Sequence, residues 1–302
     1  MQIHRDAVEV VIQAPAKLNL FLEVLAKRTD GYHDIETLMC PIDLYDTLYF
    51  REEPNGRLEL ECRCGAMAVG PGRGGLEDVP AGPDNLAWRA VELLRRRAGV
   101  HRGASLRLVK RIPPAAGLGG GSSDAAAALV AANLAWNLGL SQAELAASAA
   151  ELGSDVAFFL HGGPAICRGR GEQVAPVVGL GRLSFVVLRP PEGLATAAVY
   201  RLCRAAGQPP RVEPLVDAFR RGLGAEAGRL LFNRLQPAAE QLSPWIRRLR
   251  HALAAEGLWG YGMSGSGSAC FGLCRHAAEA RRLARRLRAR RMGSAVAVQS
   301  CR

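Results

Sequence analysis

A glycine-rich stretch at residues 111–129, RIPPAAGLGGGSSDAAAAL, has the composition of an anion-binding loop. Its glycines, Gly117, Gly119, Gly120 and Gly121, follow a predicted strand and precede an alanine-rich predicted helix. Backbone N–H groups and the positive end of the helix dipole attract a phosphate at such a junction. Glycine also lets the backbone approach a phosphate closely and adopt positive φ. We therefore predict a phosphate-binding loop here.

The loop departs from two common nucleotide-binding patterns. It lacks the Gly-Lys-Ser/Thr ending of a Walker A loop, and no early strand–helix–strand unit with an acidic partner supports a dinucleotide fingerprint. Ser122 and Ser123, which follow the glycines, could cap the helix, bind phosphate or ligate a metal ion. On composition alone, a flexible connection before an alanine helix stays open.

A strand predicted at residues 17–24 places a lysine and an amide on one face. Leucines alternate with Lys17, Asn19, Phe21 and Glu23, so these four side chains point the same way. Lys17 is one of three lysines in the chain. Its ammonium group could stabilise negative charge at a reacting phosphate. The alternative is an ordinary surface lysine.

Asp155 follows Gly153 and Ser154 at a predicted helix start. The helix dipole favours an ionised carboxylate there. An ionised aspartate within hydrogen-bond reach of a hydroxyl can accept its proton during group transfer. The alternative role for Asp155 is a plain helix N-cap.

The composition argues against several classes of protein. The chain has 302 residues, 49% of them hydrophobic, and no apolar run approaches the ~18 residues of a membrane span, so we expect no membrane partner. The N-terminus carries charges and lacks the apolar segment of a signal peptide, which predicts a cytoplasmic protein. The scattered cysteines indicate reduced thiols rather than disulfides or a zinc site.

The net charge of +11 arises largely from arginines, which crowd residues 281–291, RRLARRLRARR. Leu283 and Leu287 lie four residues apart, which predicts a helix with one buried stripe and a solvated basic face. We therefore expect no nucleic-acid partner. A basic RNA- or anion-binding protein without catalysis remains the alternative from another class.

The remaining pattern mixes strands and helices, with antiparallel pairings expected, and is typical of an α+β fold. Strands are predicted at 8–12, 44–50, 104–112, 182–191 and 294–299, with hairpins at 164–174 and 258–274. Helices are predicted at 84–99, at 122–138 with Gly139 as the stop, from the capping box Ser141–Glu144 to Gly153, across 196–256 and near the C-terminus. Residues 61–83 are predicted to form a surface excursion.

Three stretches together resemble the GHMP kinase superfamily of small-molecule kinases. PPAAGLGGGSSDAA resembles its phosphate-binding motif, PAKLNLFLEV its N-terminal motif and MSGSGSACFGL its C-terminal glycine motif. They occur in the family's order across nearly the whole chain. The resemblance implies a two-domain fold: a ribosomal protein S5-like domain at residues 1–163, which binds ATP, and a ferredoxin-like domain at residues 164–302. The active site is implied to lie in the cleft between them.

The DGYH turn at residues 30–33 and the GGGSSD spelling resemble one branch of this superfamily. That branch transfers the γ-phosphoryl group of ATP to the 2-hydroxyl of a cytidine-diphosphate methylerythritol, in the non-mevalonate isoprenoid pathway. The resemblance implies ATP as co-substrate, Mg²⁺, and a monomer or weak homodimer. The alternative within the superfamily is a homoserine or mevalonate type of kinase.

The resemblance also implies roles for individual residues. Asp155 is the implied catalytic base and Lys17 its partner, while Ser123 is the candidate Mg²⁺ ligand. The implied ATP-binding residues are Pro114, Ala115, Ala116, Gly117, Leu118, Gly119, Gly120, Gly121, Ser122 and Ser123, with Asn85 near the adenine. The implied substrate-binding residues are Asn19, Tyr32, His33, Thr196, Tyr200, Gly265, Ser266 and Gly267.

Overall fold

The computed structural model describes residues 1–6, 8–64 and 79–301, and these residues form two β-sheets with helices packed on them. The strands are β1 (Gln2–Arg5), β2 (Val10–Lys27), β3 (His33–Glu53), β4 (Leu58–Cys64), β5 (Gly103–Lys110), β6 (Ala165–Arg168), β7 (Gln173–Pro176), β8 (Ser184–Arg189), β9 (Phe232–Asn233), β10 (Gly260–Met263), β11 (Cys270–Cys274) and β12 (Ser294–Gln299). The helices are α1 (Leu86–Arg97), α2 (Gly120–Ala135), α3 (Gln142–Leu152), α4 (Val156–His161), α5 (Thr196–Leu202), α6 (Glu213–Arg220), α7 (Gly224–Leu230), α8 (Gln236–Leu242), α9 (Pro244–Ala254) and α10 (Ala277–Ala289).

The first sheet is built on the long antiparallel hairpin of β2 and β3. Its order is β1-β2-β3-β5-β4, with β6 and β7 extending from β3 and β9 lying parallel to β2. The hairpin register shifts three times, and β-bulges of this kind increase strand twist. Because of this twist, different parts of the β2–β3 pair contribute residues to different hydrophobic cores. The predicted strands at 8–12, 17–24 and 44–50 are therefore parts of two continuous strands.

The second sheet is antiparallel, in the order β10-β11-β8-β12, and α10 packs against it. Leu283 and Leu287 are buried in α10 and its arginines are mostly exposed, as the sequence pattern predicts. The sheets and helices together confirm the predicted α+β class. No helix within the described ranges has the length and apolarity that a membrane crossing requires.

Helix α2 is the buried helix that carries the glycine motif at its start. All of its alanines except Ala135 are fully buried, and the helix packs against β2 and α1, because small side chains allow close approach. It ends at Ala135, earlier than predicted, because Asn137 adopts φ +52° and a Schellman pair of bonds closes the helix. Those bonds run from Asn137 N to Leu134 O and from Leu138 N to Asn133 O. Gly139 is therefore not the stop residue.

The prediction of a surface excursion from residue 61 was partly wrong. Residues 58–64, LELECRC, form β4, which pairs in parallel with β5. The alternation of apolar and polar residues is the signal for this strand. Residues 65–78 of the predicted excursion lie outside the described residues. The predicted domain boundary at residue 163 stays a prediction; β6 and β7, just beyond it, pair with the first sheet.

Candidate functional site

A cavity of about 950 Å³ lies where the two sheets approach each other. Its walls come from β2, the start of β3, the loop from β5 to α2, the residues before α4, helix α5 and the loop between β10 and β11. It therefore gathers all three motifs that the sequence singled out. All predicted site residues except Ser123 line it.

Lys17 and Asp155 meet inside this cavity. The Lys17 ammonium nitrogen lies 3.5 Å from Asp155 Oδ2. Lys17 is almost fully buried on β2, while Asp155 keeps 30% of its side chain exposed. The Asp155 side chain makes no capping hydrogen bond to α4, so it is not a plain N-cap. The carboxylate is left accessible beside a fixed cation, as a proton acceptor requires.

Asn19 is held by a chain of hydrogen bonds. Its Oδ1 accepts from the Lys17 ammonium, and its Nδ2 donates to Thr37 Oγ1 over 2.8 Å. Thr37 in turn donates to Phe21 O over 2.6 Å. Asn19 therefore orients the Lys17 ammonium, and its side chain lies on the same face of β2 as Lys17, as the strand pattern predicts.

The glycine loop closes against Lys17. Gly119 adopts φ +72° and caps α2, and Lys17 N donates to Leu118 O over 2.9 Å. A Cβ on Gly119 would lie 2.9 Å from Phe159 Cζ and 3.0 Å from Lys17 Cγ. Since a helix leaves its first N–H groups without internal partners, the start of α2 presents them to the cavity. The arrangement suits an anion with several oxygens.

The carbonyl groups of the same loop bond to the second half of the chain. Ala116 O accepts from Ala269 N over 3.0 Å, and Gly117 O accepts from Ser264 Oγ over 2.9 Å. A Cβ on Gly117 would lie 2.1 Å from Ser264 O. These contacts fix the loop between the two sheets.

A buried charge cluster under the loop is a feature that the sequence analysis missed. Lys110, at the end of β5, donates to Asp46 on β3 and, over 2.6 Å, to Asp124 in the first turns of α2. Asp46 Oδ1 also accepts from the N–H groups of Arg111 and, over 2.8 Å, Ile112. The cluster thus connects both ends of the glycine loop. The sequence did contain a signal for this cluster: Asp46 and Lys110 are charged residues within two otherwise largely apolar predicted strands, 44–50 and 104–112.

Burial and charge pairing act in opposite directions on the proton affinities in this cluster. It raises the pKa of Asp124 to about 8, against the opposing effect of Lys110. Burial lowers the pKa of Lys110, but the two carboxylates outweigh it and leave that pKa raised. Lys110 is therefore an ammonium ion that holds the carboxylates together.

Two buried oxygens near the start of α2 could contribute to a metal site. Ser123 Oγ and Asp124 Oδ1 are fully buried, with no hydrogen-bond partner among the described residues. No group of three or more His, Cys, Asp or Glu side chains in the described ranges could by itself hold a metal. Mg²⁺ usually takes one or two protein oxygens together with phosphate and water oxygens, and of these two residues Asp124 lines the cavity.

The far end of the cavity is aromatic. The His33 and Tyr200 ring centroids lie 5.0 Å apart at an interplanar angle of 35°. Tyr32 is half exposed, and the guanidinium carbon of Arg170 lies 4.9 Å from its ring centroid. Burial, with a smaller effect of Lys27, lowers the pKa of His33. The imidazole is therefore neutral near pH 7, with one donor and one acceptor.

The remaining predicted residues differ in what their side chains do. Thr196 Oγ1 and Ser266 Oγ share a hydrogen bond of 2.9 Å, which joins α5 to the loop of Gly265 and Gly267. The Asn85 side chain caps α1 through Ala87 N and donates to Pro80 O, so its amide is occupied by the chain itself.

Family models match two parts of the chain. The N-terminal domain of GHMP kinases matches residues 85–163, and the C-terminal domain of GHMP kinases matches residues 215–292. A 4-diphosphocytidyl-2-C-methyl-D-erythritol kinase of Pelotomaculum thermopropionicum is 43% identical over 277 residues, covering 91% of this chain and 92% of that protein. The Mycolicibacterium gilvum kinase of the same name is 41% identical and covers 90% of this chain and 84% of its own.

Solved structures agree with these sequence relatives. The crystal structure of a 4-(cytidine 5'-diphospho)-2C-methyl-D-erythritol kinase superposes with a TM-score of 0.79 at 38% identity, covering 97% of this chain and 99% of the other. A homoserine kinase from Cytophaga hutchinsonii superposes with a TM-score of 0.72 at 18% identity, covering 99% of this chain and 96% of its own. This second likeness shows the fold alone.

Proposed function

This chain belongs to the GHMP kinase family, in its 4-diphosphocytidyl-2-C-methyl-D-erythritol kinase branch, and from that membership we propose how its residues carry out the reaction. The activity is ATP-dependent phosphorylation of the 2-hydroxyl of 4-diphosphocytidyl-2-C-methyl-D-erythritol, in the non-mevalonate isoprenoid pathway. The observation that carries the mechanism is the Lys17–Asp155 pair, next to the glycine loop.

The glycine loop holds the ATP phosphates in this proposal. The N–H groups at the start of α2 face the phosphate oxygens, and the helix dipole adds positive charge. Pro114–Ser122 surround the nucleotide. Asn85 caps the start of α1, and this helix start lies beside the adenine. Because the loop is fixed to both sheets, its N–H groups are held in place for the phosphates whether or not the acceptor is bound.

Asp155 acts as the base. The 2-hydroxyl oxygen attacks the γ-phosphorus, its proton passes to the Asp155 carboxylate, and the bond to ADP breaks with the electron pair leaving on ADP. Lys17 keeps the carboxylate in place and adds positive charge near the transferring group. Asn19 orients Lys17, which explains its place on the same strand face.

The aromatic end of the cavity recognises cytosine. The neutral His33 imidazole offers a donor and an acceptor to a pyrimidine edge, and Tyr32 and Tyr200 offer stacking faces. Since the His33 and Tyr200 rings already contact each other, the base stacks on an outer face of that pair or enters as they separate. Thr196, Ser266 and the neighbouring glycines line the path towards Asp155.

Mg²⁺ accompanies ATP in this proposal. Ser123 Oγ and Asp124 Oδ1 are the chain's own oxygens that would hold it, and the ion would neutralise phosphate charge. We further propose a cytoplasmic monomer or weak homodimer that needs no nucleic acid. Light scattering tests the oligomeric state. Loss of activity with EDTA and its return with added Mg²⁺ test the metal requirement.

One assay tests the function directly. The purified protein is given ATP and Mg²⁺ with the cytidylyl substrate, homoserine or mevalonate in separate reactions, and product is followed by ³¹P NMR. We expect transfer to the cytidylyl substrate alone. Asp155→Asn, prepared identically, controls for contaminating kinases. Comparable transfer to homoserine or mevalonate would contradict the proposal.

A further inference from the structure

The substrate carries a diphosphate between its cytosine and its reacting alcohol, and this charge needs a cationic partner. Lys17 and Lys110 line the cavity but are already paired with carboxylates. The other cationic residues of the described cavity wall are Lys27, Arg170 and Arg201. The diphosphate's partner must lie between the aromatic end and Asp155, because that is the order of groups along the substrate.

Arg170 lies in a turn that contacts Tyr32 at one residue and approaches Asp155 at the next. It lies in the turn of the β6–β7 hairpin, and its guanidinium carbon is 4.9 Å from the Tyr32 ring centroid. The next residue, Gly171, lies close to Asp155, the proposed catalytic base: a Cβ on Gly171 would lie 3.5 Å from Asp155 Oδ1. The turn is joined to β3 by a bond from Ile35 N to Gly169 O of 2.8 Å. One short turn therefore spans the distance from the cytosine end to the reacting end.

The Arg170 guanidinium keeps much of its binding capacity. Its ion pair with Glu172 is long, 3.9 Å from Nε to Oε2, and its contact with Ala150 O is 3.5 Å. Guanidinium groups bind phosphate oxygens in pairs of parallel hydrogen bonds, which suits a diphosphate better than a point charge does. Stacking beside Tyr32 restricts the side chain before the substrate binds.

The other two cations are less well placed. Lys27 is exposed at the end of β2, where it pairs in register with His33, so it lies at the cytosine side only. Arg201 is exposed on α5, next to Tyr200. Among the residues that the structure describes, neither has a hydrogen bond or ion pair that links it to Asp155. Both serve as matched controls.

We propose that Arg170 binds the diphosphate of the substrate and thereby determines its specificity for a nucleoside-diphosphate alcohol. The inference rests on the proposed placement of cytosine at Tyr32 and of the reacting hydroxyl at Asp155. It adds a recognition element that neither the phosphate loop nor the aromatic end supplies.

The test measures KM for both substrates and competitive inhibition by cytidine, CMP and CDP. Arg170→Met should raise KM for the cytidylyl substrate roughly 10- to 100-fold, as loss of charged hydrogen bonds does, at unchanged KM for ATP. It should also abolish the preference for CDP over cytidine while leaving cytidine inhibition unchanged. Arg170→Lys should restore part of that preference.

Three results would overturn the inference. Equal weakening of cytidine and CDP would mean that Arg170 acts on the base through Tyr32. An unchanged KM in Arg170→Met would remove it from recognition, and selective loss of CDP binding in Lys27→Met or Arg201→Met would place the diphosphate elsewhere. A wild-type protein without activity on the cytidylyl substrate would instead refute the proposed function itself. An unchanged KM for ATP confirms that each variant is folded.

Discussion

At the scale of single residues, the proposed chemistry depends on a carboxylate that is accessible and a lysine that is not. Asp155 is partly exposed, and the buried Lys17 beside it is held by Asn19. In the proposed mechanism the carboxylate exchanges a proton with the substrate while the Lys17 ammonium keeps it in position. Two changes at this scale separate the reacting end from the recognition end.

We predict that Asp155→Ala lowers kcat by about 10²-fold or more and leaves ATP affinity nearly intact, because it removes a positioned base and no phosphate contact. Steady-state kinetics and nucleotide titration measure the two effects. Asp155→Asn, which keeps the shape and removes the charge, should lose kcat to a similar extent. Unchanged turnover in both variants would remove Asp155 from the mechanism.

We predict that His33→Ala raises KM for the cytidylyl substrate with little change in KM for ATP. A stacking contact with one hydrogen bond corresponds to roughly 1–3 kcal/mol. The wild-type KM should also depend on pH. Burial lowers the pKa of His33, so the neutral form persists below pH 6.5, and KM should rise only at more acid pH as the imidazole gains a proton.

The kinetic measurement is a pH profile of KM for each substrate, in the wild type and in His33→Ala. The acid rise should be absent in the variant, since no imidazole remains to titrate. An identical acid rise in both proteins would show that another group controls substrate binding. An effect on ATP alone would place His33 on the wrong side of the cavity.

At the scale of elements, steric contacts restrict which residues the glycine loop can contain, in addition to the phosphate binding proposed for it. Gly119 combines φ +72° with near contacts to Phe159 and Lys17, whereas the nearest atom to a Cβ on Gly121 would be 3.7 Å away. The two glycines are two residues apart yet differ in their tolerance of a side chain. They form a matched pair for testing the loop.

We predict that Gly119→Ala weakens ATP binding and lowers stability by about 1 kcal/mol or more, because alanine is strained at this φ and would press on Lys17. Gly119→Val should have a larger effect. Gly121→Ala should change stability little, since Gly121 lies in the first turn of α2 and a Cβ there would make only an ordinary van der Waals contact, 3.7 Å from Leu86 Cδ1. Isothermal titration and thermal melts compare them; equal effects at both positions would contradict the steric account.

Local patterns predicted most of these elements and missed what depends on contacts across the chain. The strand of Lys17, the start of α1 at Asn85 and the capping box of α3 were all predicted from short-range rules. The joining of Asp46 to Lys110 and Asp124 depends on three segments meeting in space. So does the contact of the turn of Arg170 and Gly171 with both Tyr32 and Asp155. The spacing of residues along the sequence does not show which distant segments come into contact in the folded protein.

At the scale of the whole molecule, the β2–β3 hairpin joins all the packing layers. Along β2, Val10, Ile12 and Ala14 belong to one core, residues 16–21 contribute to a second, and Leu22 and Val24 to a third. We predict a single cooperative unfolding transition, because no core can be lost without disturbing a strand that the others share.

Calorimetry checks this prediction, with the calorimetric and van't Hoff enthalpies expected to agree. ATP and the cytidylyl substrate, each at about 100 times its Kd, should each stabilise the whole transition by about 2.7 kcal/mol. Two resolved transitions, of which a ligand shifts only one, would show that the sheets unfold independently.

The contact between Gly117 and the loop at Ser264 has a consequence for how such a chain can change over generations. Ser264 O occupies the space that a side chain at position 117 would need, and the Ser264 hydroxyl bonds to the carbonyl of the same glycine. Because every atom in that space belongs to the backbone, position 117 is restricted to glycine whatever side chain stands at position 264. Homologues should therefore keep glycine at position 117 even where position 264 varies, and no substitution of Ser264 should rescue a side chain introduced at position 117.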